Sequence, residues 1–333
     1  MKSRLIAAAT ILLVAGAFGT RGAAPPGGDE TIVDIDHAGD VDHFLAAMVD
    51  SGFNGCVLIA KDDQVILHKG YGRADRARAE PVTLATPFWI ASISKQFAAA
   101  AILKLADQER VSLEDPVTRF FGDVPADKRA ITIHQLLTHT AGLQQYYAAD
   151  GIVDRDAAVR AILERPLARQ PGEGFGYSND AYSLIAAIVE IVSGTPYEVY
   201  LRAELLEPAG MMHSGFWGPA EHPEVADILG QAPDSTVARP NWGFRGAVGM
   251  YATAGDLHRW YRALDDARVL SASSRRLLFA PHVDRETVDV AYVTNAEERD
   301  IDLDTGLRGF RPWCRARDLS AGARGHRRHH ELR

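Results

Sequence analysis

Apolar residues at Val41, Phe44, Leu45, Met48 and Val49 recur at the three- and four-residue spacing of one helical face and predict the first helix. The runs Cys56–Ala60 and Val65–Lys69 flank a turn-forming Lys61-Asp62-Asp63-Gln64 and predict a β-hairpin, with Gly70 and Gly72 ending its second strand. Ala91–Asp107 is strongly helical in spacing, and Asp115-Pro116 opens an irregular stretch. Further helices are expected over Ile133–Thr138, Arg155–Glu164, Asn179–Ser193 and Tyr197–Leu206, each bounded by glycine or proline. Strands first and helices through the middle predict an α+β architecture, in which a sheet near the termini packs against a helical lobe.

The two ends follow a different pattern. Lys2 and Arg4 precede a 14-residue apolar run, Leu5–Phe18, and small-x-small sites follow at Ala17-Phe18-Gly19 and Gly22-Ala23-Ala24. This is the pattern of an export signal over residues 1–24, so the mature protein is expected to be periplasmic or secreted. The run is short for a spanning helix, which favours cleavage over a membrane anchor; an uncleaved N-terminal anchor is the alternative. Residues 25–38 read as a linker opened by Pro25-Pro26-Gly27-Gly28, and residues 39–300 as the folded domain. From Leu307 to Arg333 there are eight Arg, three His and no Lys, with little apolar periodicity, so residues 301–333 do not continue that domain.

Loss of residues 1–24 would remove Lys2, Arg4 and Arg21 and no acid, taking the net charge from −8 to −11. Such a surface disfavours nucleic acid as a partner. Cys56 and Cys314 are the only cysteines, and their contexts give no disulfide framework. No CxxC, HExxH or P-loop pattern occurs, so no metal or other cofactor is expected.

Candidate chemistry begins at Ser92-Ile93-Ser94-Lys95, a Ser-x-x-Lys at the start of a helix. Residues i and i+3 share a face, which brings the Lys95 amine within reach of the Ser92 hydroxyl. A serine hydroxyl needs a base to become a nucleophile, and Lys95 serves only if burial or positive charge lowers its pKa from about 10.4. The helix start also offers N–H groups and partial positive charge to an oxyanion. On its own Ser-x-x-Lys is common on solvated helices. Tyr177-Ser178-Asn179 adds a phenol able to pass a proton and an amide able to orient Lys95 or a substrate carbonyl; the bland alternative is a turn with a packed Tyr and an Asn cap.

These motifs, with those between them, resemble the family that contains class C β-lactamases, DD-peptidases and related esterases. Ile131-Thr132-Ile133-His134-Gln135-Leu136-Leu137-Thr138-His139-Thr140-Ala141-Gly142-Leu143 looks like the segment the family carries between its serine and tyrosine boxes. Pro171-Gly172-Glu173, Glu207-Pro208-Ala209-Gly210-Met211 and Gly249-Met250-Tyr251-Ala252-Thr253-Ala254-Gly255-Asp256-Leu257 follow in the same order, so the likeness covers roughly residues 40 to 265. The resemblance implies a β-lactamase/DD-peptidase-like α+β fold whose antiparallel sheet is built from the chain's two ends. It implies acylation at Ser92, shared base and acid duty for Lys95 and Tyr177, a substrate-holding role for Asn179, and water as the final acceptor. The implied partner is a β-lactam, a D-alanyl peptide or a small ester or amide. His134 and His139 are expected to be packing residues. Gly176-Tyr177-Ser178-Asn179-Asp180 lacks the last glycine of an α/β-hydrolase nucleophile elbow.

The family's third box, Lys-Thr-Gly or His-x-Gly on a late strand, is not found. No lysine follows Lys128; His213-Ser214-Gly215 falls in a loop-like segment and comes too early, and Asp304-Thr305-Gly306 has the wrong charge. A reading of Ala323–Leu332 shifted by one nucleotide is compatible with Leu-Val-Val-Ile-Val-Val-Ile-Thr-Asn-Ser, which resembles a buried last strand. A frame change before the tail is therefore the favoured account, a solvated basic tail the main competitor. Loss of the box predicts weak or absent activity with an intact nucleophile, and a non-catalytic, remnant protein is the alternative.

Overall fold

The computed structural model describes residues 9–10, 31–32, 38–61, 64–75, 79–145, 147–216, 241–285 and 288–290. Strands β1 (Ala9–Thr10) and β2 (Thr31–Ile32) come first, followed by helix α1 (Ala38–Val49), β3 (Gly55–Lys61) and β4 (Gln64–Tyr71). They make an antiparallel sheet of order β1-β3-β4-β2. The predicted hairpin is β3–β4, in register from Gly55↔Tyr71 to Lys61↔Gln64 with an irregularity at Ile59/Ala60. Alternation along β3 gives the sheet two buried faces. Val57 and Ile59 turn toward α1, where Leu45, Phe53, Leu67 and Tyr71 form a small cluster, while Cys56 and Leu58 enter the main core. Burial there pushes the Cys56 thiol up to about 12, which makes it an inert core residue.

One short pair follows, β5 (Arg73–Asp75) with β6 (Glu80–Pro81), and then β7 (Phe88–Trp89), which leads into α2 (Ser94–Asp107). Helix α2 is buried on nearly every side: Phe97 and the run Ala98–Ala101 are fully buried, and the small side chains let α5 (Asn179–Ser193) pack close against it. Between them lie α3 (Ile133–Leu137) and α4 (Arg155–Leu163). Helix α3 carries a full capping box, Thr132 accepting from Gln135 N while the Gln135 side chain accepts from Thr132 N.

The helix expected over Tyr197–Leu206 is broken into α6 (Tyr197–Leu201), a π turn over Arg202–Leu206 and α7 (Glu207–Ala209), ending at Gly210 with φ +77°. Strands β8 (Gly215–Phe216) and β9 (Met250–Ala252) join β7 in a second antiparallel sheet of order β7-β9-β8. Helices α8 (Ala254–Asp265) and α9 (Ala272–Phe279) follow, capped by Thr253 and Ser271. A separate hairpin, β10 (Val283–Arg285) and β11 (Val288–Val290), is the last described element.

The fold is α+β, as expected. Among the described residues, every strand of the four-stranded sheet comes from the first 71 residues, and no late strand joins it. The expected C-terminal contribution, Asp304-Thr305-Gly306 and the Arg/His-rich tail lie outside the described residues. Strand β1 falls within the expected export signal and pairs Ala9↔Ile59 and Thr10↔Leu58 on the outer edge of β3.

Candidate active site

The turn that carries Ser92 is tied to the small sheet. Phe88 and Trp89 pair with Ala252 and Tyr251, and Ile90 N donates to Met250 O at 3.0 Å. The chain then bends through Ala91 at φ +44°, a left-handed conformation that a residue with a Cβ holds only when its surroundings enforce it. Ser94 supplies that constraint: its Oγ donates to Ala91 O at 2.6 Å and accepts from Met250 N at 3.2 Å. Ser94 thus points away from Lys95, and a single helical turn starts at Ala91 with Ser92 and Lys95 on one face.

Tyr177 arrives from the turn before α5. Ser178 is the cap: its Oγ accepts from Ala181 N at 3.2 Å and donates to Gln144 O at 2.9 Å. Asn179 is therefore not the cap, and its Oδ1 accepts from Lys95 Nζ at 2.8 Å. Ser178 is buried in this capping role, which removes it as a nucleophile. All four expected residues meet. Ser92 Oγ lies 3.1 Å from Lys95 Nζ and 2.7 Å from Tyr177 Oη.

A further partner of Lys95 was not expected from the sequence. Ala247 O accepts from Lys95 Nζ at 2.9 Å, from the turn that precedes β9. Gly246, at φ +71°, lets this turn approach α5, since a Cβ there would sit 2.2 Å from Tyr182 O. The glycines Gly243, Gly246 and Gly249 were the only local signal.

Lys95 is 3% exposed, and burial holds its amine well below the ordinary lysine range. Among the described residues no carboxylate is a hydrogen-bond partner of Lys95; the Tyr177 and Tyr182 rings lie 4.9 and 5.5 Å from Nζ. Asn179 Oδ1 and Ala247 O can only accept. A neutral amine gives each of them one hydrogen and turns its lone pair to the third neighbour, Ser92 Oγ. The Ser92 hydroxyl then donates to Lys95, and Tyr177 Oη donates to Ser92. This direction of hydrogen bonding is the one in which an amine can take a proton from a serine hydroxyl.

His139 is buried against Tyr177, with ring centroids 4.6 Å apart, and His134 lies edge-on to His282 at 5.3 Å. Beside Asn179, Asp180 is 3% exposed; burial raises its carboxyl to about 7 against the opposing hydrogen bond from Ala148 N and the charge of Arg165.

His213 and Ser214 lie in a turn, as expected, and only Gly215 enters a strand. Gly215 begins β8, an edge strand, but β9 separates it from β7 and the Ser92 turn. His213 N and Ser214 Oγ both donate to the buried Asp256 carboxylate, at 2.7 and 2.8 Å. The segment anchors the small sheet.

Residues 41–295 match the family described as Beta-lactamase. The chain is 30% identical over 257 residues to the "Putative penicillin-binding protein PbpX" of Bacillus subtilis (strain 168), covering 76% of this chain and 64% of that one. Penicillin-binding protein 4* of the same organism is 28% identical over 255 residues, with 69% and 56% covered. The chain thus spans less than two thirds of the length of these relatives. The crystal structure of penicillin binding protein from Bacillus halodurans superposes with a TM-score of 0.64 at 25% identity, over 75% of this chain and 82% of that one. This chain belongs to the serine β-lactamase and penicillin-binding-protein family of hydrolases.

Proposed function

We propose that the protein is an acyl-transfer hydrolase with Ser92 as nucleophile, Lys95 and Tyr177 as its proton-handling pair, and turnover limited by the missing third box. The observation that carries this is Ser92 Oγ held between Lys95 Nζ at 3.1 Å and Tyr177 Oη at 2.7 Å. In acylation Ser92 gives its proton to Lys95 as Oγ bonds to the substrate carbonyl carbon, whose π pair moves onto oxygen. Collapse of that intermediate breaks the bond to the leaving group. Tyr177 hands its proton to the leaving atom and recovers one from Lys95. Water then attacks the ester, gives a proton to the same pair, and releases Ser92 as the hydroxyl. Asn179 holds Lys95 and borders the substrate carbonyl. The Ser92 N–H, at a helical start, is one oxyanion donor.

The substrate class is a β-lactam, a D-alanyl peptide or a small ester or amide; the penicillin-binding relatives favour the first two. Action outside the cytoplasm follows from the expected signal over residues 1–24, and intact mass of the exported protein checks it. A second reading, a non-catalytic remnant, is favoured by two observations: no lysine follows Lys128, and His213 N and Ser214 Oγ are engaged with Asp256.

The test is labelling with a fluorescent penicillin and a fluorophosphonate, alongside nitrocefin and p-nitrophenyl acetate hydrolysis. Slow labelling that disappears in Ser92→Ala is expected. Folded protein with no Ser92-dependent signal supports the remnant reading, and fast turnover removes the proposed limitation.

A further inference from the structure

We propose that His139 is a positioning residue that sets the phenol of Tyr177 against Ser92 and acts on the chemistry only through Tyr177; the inference rests on Ser92 as nucleophile. His139 sits at φ +59°, a left-handed conformation disfavoured for a side chain of this size. What holds it there is a pair of bonds that straddle Tyr177. His139 O accepts from Gly176 N at 2.8 Å, and His139 Nδ1 accepts from Ser178 N at 3.1 Å. One residue thereby fixes the amides on both sides of Tyr177.

The ring completes the clamp. It lies tilted on Tyr177 at 4.6 Å, on Tyr182 at 5.1 Å and edge-on to Phe175 at 5.6 Å. With its backbone pinned and one face covered, the phenol has little freedom to leave Ser92 Oγ, 2.7 Å away. Because Nδ1 is occupied as an acceptor, the ring hydrogen belongs on Nε2. The titratable groups against the ring are Lys95 from α2, Tyr177 from the turn and Tyr182 from α5. Burial, and then the unfavourable placing of a second cation beside the Lys95 amine, hold the imidazole well below the ordinary histidine range. Protonation would set a donor against the Ser178 N–H and a cation beside Lys95. His139 is thus a neutral brace, and with Nδ1 engaged by backbone it takes no proton from Ser92.

The experiment measures the rate of fluorophosphonate labelling for His139→Phe and His139→Asn, each in wild-type and Tyr177→Phe backgrounds, with thermal melts to verify folding. Phenylalanine keeps the ring and loses the acceptor. Asparagine keeps an acceptor near the Nδ1 position and tolerates left-handed backbone. His139→Phe is expected to slow labelling roughly 10- to 100-fold in wild type and to leave the Tyr177→Phe rate unchanged, with His139→Asn recovering part of the loss. Equal losses in both backgrounds overturn the proposal.

A second measurement needs no activity: nitrogen NMR of the imidazole, with the Tyr177 ring resonances. A ring that stays neutral, with its hydrogen on Nε2, on the acid side of the unperturbed value near 6.5 is expected, with Tyr177 resonances displaced by His139→Phe. A ring that titrates near its unperturbed value, or Tyr177 resonances that do not move, overturns it. Failure of the Ser92 reading would show separately, as unlabelled wild-type protein with this NMR signature intact.

Discussion

The helical lobe and the N-terminal sheet share a core but differ in what they hold. Every group around Ser92 hangs from the lobe or its turns: Lys95 on α2, Asn179 on α5, and Tyr177, His139 and Ala247 on segments packed against them. Lys95, Asn179, His139 and Ala247 are buried, and Tyr177 is half-buried. The sheet has a small cluster under α1, and among the described residues its β3 edge is covered over only two positions by β1. Cleavage after the expected signal would remove β1 and open that edge, a liability for a sheet. The contrast teaches that, among the described residues, the geometry around Ser92 and the pairing of the four-stranded sheet depend on different contacts.

Substitutions in the two regions should separate rate from stability. Lys95→Met removes the proposed base and leaves Asn179 Oδ1 and Ala247 O without the Lys95 donor; labelling of Ser92 is expected to fall about 10²- to 10⁴-fold while the fold persists. A rate within a few-fold of wild type would shift the base role to Tyr177. In the sheet, Leu67→Ala empties a fully buried position in the α1 cluster. Chemical denaturation should show a loss of about 2–5 kcal/mol, with an unchanged labelling rate per folded molecule. A matching fall in rate would mean that the regions are coupled after all.

Gly246→Ala tests how the third support reaches Lys95. The new Cβ would press on Tyr182 O from a left-handed backbone, moving Ala247 O outward. Labelling should drop roughly 10- to 100-fold, with a lower Tm. The smallest effect concerns Asp180. Its folded pKa is raised to about 7, so between roughly pH 4 and 7 the folded state binds more protons than the unfolded one. Stability therefore falls as pH rises through that window. Asp180→Asn keeps the acceptor for Ala148 N and has no charge to bury, so it should gain about 1–3 kcal/mol over wild type at pH 8 and little at pH 4. An equal gain at both pH values would show that burial of the charge is not the cause.

Much of the fold was legible because local patterns agreed with tertiary outcome. The α1 face, the β3–β4 hairpin and α5 follow directly from periodicity and turn residues. Strands β7, β8 and β9 were not legible: two or three residues long, they exist through pairing partners far apart in sequence. The helix expected over Tyr197–Leu206 was right in place and wrong in regularity, since its π turn and Pro208 reshape it. At the site, the Ser-x-x-Lys spacing was sufficient to pair Ser92 with Lys95. Asn179 was ambiguous until Ser178 proved to be the cap.

By itself, the sequence determined the helical lobe, the family and the identity of the four clustered side chains, because helical periodicity and short motifs act over neighbouring residues. Only the tertiary structure decided how they work together. Burial makes Lys95 a weak base able to accept a proton, two carbonyl acceptors direct its lone pair at Ser92, and His139 lies where both amides flanking Tyr177 can reach it. Those properties arise from the exclusion of water and from contacts across as many as 152 positions of chain, which no local pattern encodes.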